Sequence, residues 1–143
     1  MNIPKTPDEF INEFYFSVDL TDKIGDLRVC QLIDILNKVS DEIIILGIIK
    51  IFENTSRPKS LYLDQKYAGK ILDALKPRTD IDLNSILKST IKNWNKSVEE
   101  FPFWLKENYG FDLLKVKIFE FENQNLNELE SDKLETLKWW LKI

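Results

Sequence analysis

The segment SDEIIILGIIKIFE, residues 40–53, carries the reading on which the fold depends. Ser40 stands where a helix N-cap belongs, with Val39 before it and Ile44 at the fourth helical position, the two partners of a hydrophobic staple. From Asp41 to Glu53 the residues are apolar almost all round, leaving only a strip of Glu42, Lys50 and Glu53. A buried strand is the competing reading, because isoleucine is β-branched and a short apolar run does not reveal its period. Cap and staple favour a helix, and that helix should be the most enclosed element of the fold. Gly47 and Lys50 interrupt the run, which is about half of the roughly twenty residues a bilayer span requires.

The flanking sequence continues in helical period. Toward the N-terminus, Val29, Leu32, Ile33, Ile35 and Leu36 form a broad apolar arc within Asp26 to Val39. Thr6-Pro7-Asp8-Glu9 fits a capping box with proline at the first helical position, followed by Phe10, Ile11, Phe14 and Tyr15 on one aromatic face. Asn54 to Ser60, with Arg57-Pro58, reads as a loop. Tyr67, Ala68, Ile71, Leu72 and Leu75 then mark a helix that Pro77 stops. Asp82 is placed to cap another, and Leu83, Ile86, Leu87, Ile91, Trp94 and Val98 carry its spacing. Ser97 to Glu100 repeats the capping-box pattern, with the helix ending at Tyr109 before Gly110. Leu114 to Glu122 passes for either strand or helix, and Asp112 with Phe111 and Val116 tips it to helix. A polar loop at Asn123 to Asn127 leads to a last helix from Ser131, using Leu134, Leu137, Trp140 and Leu141.

These patterns predict an all-α fold of antiparallel helical hairpins in a single domain, residues 1–143. Asp26–Glu53 and Asp64–Asn95 are spaced about 40 residues apart, near HEAT-repeat length, so the hairpins stack into a short HEAT-like superhelix or pack as an irregular helical bundle. At 143 residues the chain can bury a core without staples, and 43% hydrophobic against 31% charged residues excludes a disordered composition.

Composition also closes many routes to chemistry. The chain has no histidine and one cysteine, so neither an internal disulfide nor a Cys/His zinc site can form. Cys30, at the edge of an apolar arc with no histidine to activate it, reads as packing. Neighbouring carboxylates such as Asp80 with Asp82, Glu99 with Glu100 and Asp41 with Glu42 each have a helix-start explanation. No catalytic residue, metal or cofactor is expected, and the chain reads as a non-enzyme. Met1 to Phe16 has no basic start and apolar core of a signal peptide, so the expected location is cytoplasmic, with no membrane partner. Abundant Ile, Lys and Asn associate with AT-rich, bacterial genomes.

Charge gives the best functional clue. Residues 1–56 carry 10 acids and 5 bases, residues 57–98 carry 4 and 9, and residues 99–143 carry 10 and 6, giving blocks of −5, +5 and −4. Within the basic block, Lys88, Lys92 and Lys96 form an i, i+4, i+8 ladder opposite the apolar arc of their helix, and Lys66 and Lys70 form a shorter one nearby in sequence. That face is either a solvated surface or a dock for an anionic partner, protein or nucleic acid. The acidic counterpart includes Glu128, Glu130, Asp132 and Glu135, which either favour a helix dipole or meet a basic partner. Trp139 and Trp140 are about 100° apart on a helix, so Trp140 joins the apolar arc. Trp139 then either covers a neighbouring helix or stands out as an interface anchor, while Phe101, Phe103, Trp104 and Tyr109 read as core. The resulting expectation is a protein-binding domain presenting charged helical surfaces, of the kind a toxin-neutralising immunity protein presents. The alternative is a binder of an anionic polymer such as nucleic acid.

Overall fold

The computed structural model describes residues 1–143 and contains nine helices and no strand. They are α1 (Pro7–Asp19), α2 (Thr21–Ile24), α3 (Leu27–Leu36), α4 (Asp41–Glu53), α5 (Leu61–Leu75), α6 (Leu83–Thr90), α7 (Glu100–Tyr109), α8 (Phe111–Glu122) and α9 (Glu128–Leu141). The fold is all-α, and no helix is long and apolar enough to cross a membrane.

The decisive segment is α4 with the predicted bounds. Ser40 Oγ accepts the Ile43 amide at 3.4 Å, and both staple residues, Val39 and Ile44, are buried. Ile44, Ile45, Ile48, Ile51 and Phe52 enter a core of 31 buried side chains. Gly47 has a packing reason: a Cβ there would lie 2.3 Å from the Phe10 ring, so its absence lets α1 lie directly on α4.

Packing runs largely between helices two apart in sequence. α1, α3, α5, α7 and α9 adjoin in that order as one row, and α4, α6 and α8 form a second row against it. The hairpin partners expected from sequence, α3 with α4 and α5 with α6, meet far less. Side-by-side placement of α3 and α5 does match the similarity of their Ile33–Leu36 and Ile71–Leu75 stretches.

Several termini differ from the sequence reading. Glu9 accepts from the Lys5 amide at 2.6 Å instead of the Thr6 amide, while Thr6 still caps α1. Helix α7 has no side-chain cap, because the Ser97 hydroxyl donates to Asn95. Helix α8 starts at Phe111, and Phe111 and Val116 are both exposed, so no staple forms. Gly110, at φ 84°, closes α7 and opens α8 in one residue. Helix α9 begins at Glu128, three residues before the expected Ser131, because Asn127 and Glu130 make a capping box.

The largest correction concerns α6, which ends at Thr90 instead of running through Asn95. Side-chain bonds hold the following segment in non-helical form. Gln65 donates to the Asn93 carbonyl at 2.7 Å and accepts from the Asn95 amide at 2.6 Å, while Asn93 reaches the Glu53 carbonyl at 3.0 Å. Trp94 and Val98 are buried, as their spacing implied, but the loop carries them inward. The 77–82 connector is tied down in the same manner by α7. Trp104 Nε1 donates to the Pro77 carbonyl at 2.8 Å, the Asn108 amide brackets the Thr79 backbone at 3.0 and 2.9 Å, and Tyr109 donates to the Ile81 carbonyl at 2.5 Å.

Candidate functional site

Helix α9 separates into two faces. Leu134, Leu137 and Leu141 enter the core, and half-buried Trp140 donates from Nε1 to the Lys96 carbonyl at 2.8 Å. On the other side Glu128, Asp132, Glu135 and Trp139 follow i, i+4, i+7, i+11 spacing, which places them within about 60° of one another. All four are exposed, and Trp139 is 69% exposed. The result is a ridge of three carboxylates leading to an open indole. Glu130 is turned away from it and completes the capping box.

The Trp139 ring meets the Trp140 ring edge-on at 4.8 Å, and Trp140 meets Phe103 of α7 at 6.0 Å. Phe103 is 45% exposed, which corrects its expected place in the core. With Lys138, Lys142 and Ile143 these rings line an open cleft of about 470 Å³. Asp132 pairs with Lys96, and Glu135 accepts from Lys138 at 3.1 Å, yet both carboxylates stay accessible.

The lysines do not form the expected strip. Lys88 lies on α6, Lys92 lies in the turn after its end, and Lys96 is held by Asp132 of α9. On α5, Lys66 is exposed beside the Tyr67 ring, whereas Lys70 bonds Asp26 at 3.0 Å. Arg57, Lys70 and Lys96 therefore each pair with an acid of a flanking block. Part of the alternation in sign is thus internal complementarity between elements distant in sequence.

A second constellation escaped the sequence reading. Arg57 lies between Asp19, at 2.6 Å, and buried Asp64, at 2.9 Å, with its guanidinium 4.4 Å from the centre of the Tyr15 ring. Hydrogen bonding to Arg57 holds the Asp19 carboxyl below its ordinary range. Burial pushes Asp64 up, and the Arg57 bonds offset only part of that effect. Burial likewise raises the Tyr15 phenol, which accepts from the Asn54 amide at 2.8 Å. Similarly, Arg28 bonds Glu13 at 2.6 Å and lies 5.2 Å from the centre of the exposed Phe16 ring, and Lys138 bonds Glu122 at 3.1 Å and lies 5.8 Å from that of the exposed Phe119 ring. Each captures a cation between an acid and an aromatic one helical turn apart. That spacing is visible in the sequence, but its distant cation is not.

Asp80 and Asp82 line a shallow cleft of about 310 Å³ with Tyr109, Leu113 and Lys117. Both are exposed, and Asp82 accepts the Ser85 amide as the α6 cap. The Tyr109 phenol is pushed up to about 12 by burial and by the charges of Asp82 and Asp80. Asp41 accepts the Arg78 amide at 3.0 Å. No group of three or more Cys, Asp or Glu side chains converges as a metal cage would require. Cys30, expected in packing, is exposed with its sulfur 3.8 Å from Lys70 Nζ.

Comparison of the chain with protein-family models, with curated proteins and with solved structures finds no match in any of the three.

Proposed function

We propose that this is a non-enzymatic protein-binding domain whose contact surface is the outer ridge of α9, extended by Phe103. The observation that carries the reading is Trp139, 69% exposed at the end of a run of carboxylates. Exposed tryptophans of this kind supply much of the energy of protein interfaces, and flanking carboxylates raise the capture rate of a basic partner. The −4 charge of residues 99–143 favours such a partner. Neutralisation of a basic toxin in the bacterial cytoplasm fits the size, the acidity and this surface.

The test is isolation and identification of the partner, followed by calorimetric titration of Trp139→Ala. Truncating an interface anchor costs about 2 kcal/mol, so affinity should fall about thirtyfold with the circular dichroism unchanged. Rising salt should slow association. Undiminished affinity in Trp139→Ala would overturn the reading. So would salt-sensitive binding of nucleic acid that depends on Lys66, Lys88 and Lys92, three of the exposed lysines of the middle block that make no ion pair.

A further inference from the structure

We infer that Glu135 and Trp139 form an open socket for an arginine side chain of the partner protein. The inference rests on the reading of α9 as the contact surface and specifies what that surface recognises.

The chain builds the same device three times for its own use. Glu13 and Phe16 on α1 hold Arg28, Tyr15 and Asp19 on α1 hold Arg57, and Phe119 and Glu122 on α8 hold Lys138. In each, an acid and an aromatic stand three or four residues apart on a helix, so carboxylate and ring face the same side. The cation arrives from another element, bonds the carboxylate and lies over the ring, where the ring quadrupole attracts it. Glu135 and Trp139 repeat the i, i+4 spacing on α9 with the ring type that binds cations best. No cation of the chain lies over the Trp139 ring, although Lys138 and Lys142 line the cleft beside it, and Glu135 accepts from Lys138 at 3.1 Å while remaining 66% exposed. Asp132 and Glu128 extend the negative side of the socket along the ridge. Arginine fits better than lysine, because its planar guanidinium can stack on the indole and bond the carboxylate together.

The test uses acetyl-Gly-Arg-Arg-Gly-amide with its lysine and citrulline counterparts as probes. Two-dimensional NMR follows the indole N–H signals of the four tryptophans, with Trp139→Phe identifying that of Trp139. The arginine peptide should move the Trp139 signal selectively and bind about threefold tighter than the lysine peptide. The citrulline peptide should leave it in place. Glu135→Gln should weaken the arginine peptide about threefold, whereas Glu42→Gln, which removes an equal charge on α4, should not. Equal response to arginine and lysine, no movement of Trp139, or equal effects of the two Gln variants would overturn the socket. If Trp139→Ala weakens the natural partner while the peptides do not discriminate, the protein-binding reading stands and the socket alone falls.

Discussion

Helices α1 and α9 lie at opposite ends of one row, and each leaves one aromatic exposed, Phe16 with Arg28 over its ring and Trp139 with no cation over it. On α1, Phe10 and Phe14 are buried, and Tyr15 is roofed by Arg57 from the loop after α4. On α9, Trp140 is half-buried and bonded, but Trp139 faces solvent beside accessible carboxylates. Cations of the chain lie over Tyr15 and Phe16 on α1 and over Phe119 on α8. The contrast is therefore in the partner of the ring and not in its exposure, since Phe16 and Phe119 stay exposed with a cation over them whereas Trp139 has none.

Three substitutions and one titration would break or sharpen that contrast. Gly47→Ala should have the largest effect, because its methyl group would lie 2.3 Å from the buried Phe10 ring. Overpacking there should cost about 3 kcal/mol and outweigh the gain of up to about 1 kcal/mol in helix propensity, which chemical denaturation would show. A stable Gly47→Ala protein would mean that α1 is not anchored as described. Arg57→Ala comes next, since it strands the buried Asp64 carboxylate and uncovers Tyr15. A loss of about 2 kcal/mol is expected, below the range for a fully buried pair because Arg57 keeps some solvent contact.

By contrast, Trp139→Ala should change folding stability by less than about 0.5 kcal/mol, because the side chain is largely outside the core. A larger loss would give Trp139 a structural duty and weaken its case as an anchor. The smallest effect is a titration order. Asp64 should take up its proton above pH 3.8 and Asp19 below it, as carbon-detected NMR of the carboxyl groups can show. The linked stabilities have opposite signs. For Asp19 the stabilisation is lost as pH falls through its depressed folded value, whereas for Asp64 it is lost as pH rises through its raised one. Titration of Asp64 below Asp19 would contradict the burial of Asp64 beside Arg57.

How much of this was readable depends on the range of the interaction concerned. Helix α4 followed from Ser40, Val39 and Ile44, all within a few residues of its start. Asn127 and Glu130 carry an equally local signal for the start of α9, but Ser131 competes with it in the sequence. The end of α6 was not readable, because Gln65, Asn93 and Asn95 determine it across about 30 residues of chain. Helical spacing through Trp94 and Val98 therefore correctly marked burial while misassigning the backbone. On the candidate site, the spacing of Glu128, Asp132, Glu135 and Trp139 was present in the sequence, but the start of α9 and the exposure of Trp139 were needed to make it one ridge. The lysine ladder failed for the same reason that α6 was misjudged.

The loop after α6 relies on α9 for two of its backbone acceptors, with Lys133 bonding the Trp94 carbonyl and Trp140 bonding the Lys96 carbonyl. During synthesis from the N-terminus, those carbonyls stay unanswered until the last helix has emerged and docked. Docking of that helix also defines which way its indole points. On the proposed reading of α9 as the contact surface, the ridge therefore takes its final form only when this helix has docked on the loop after α6.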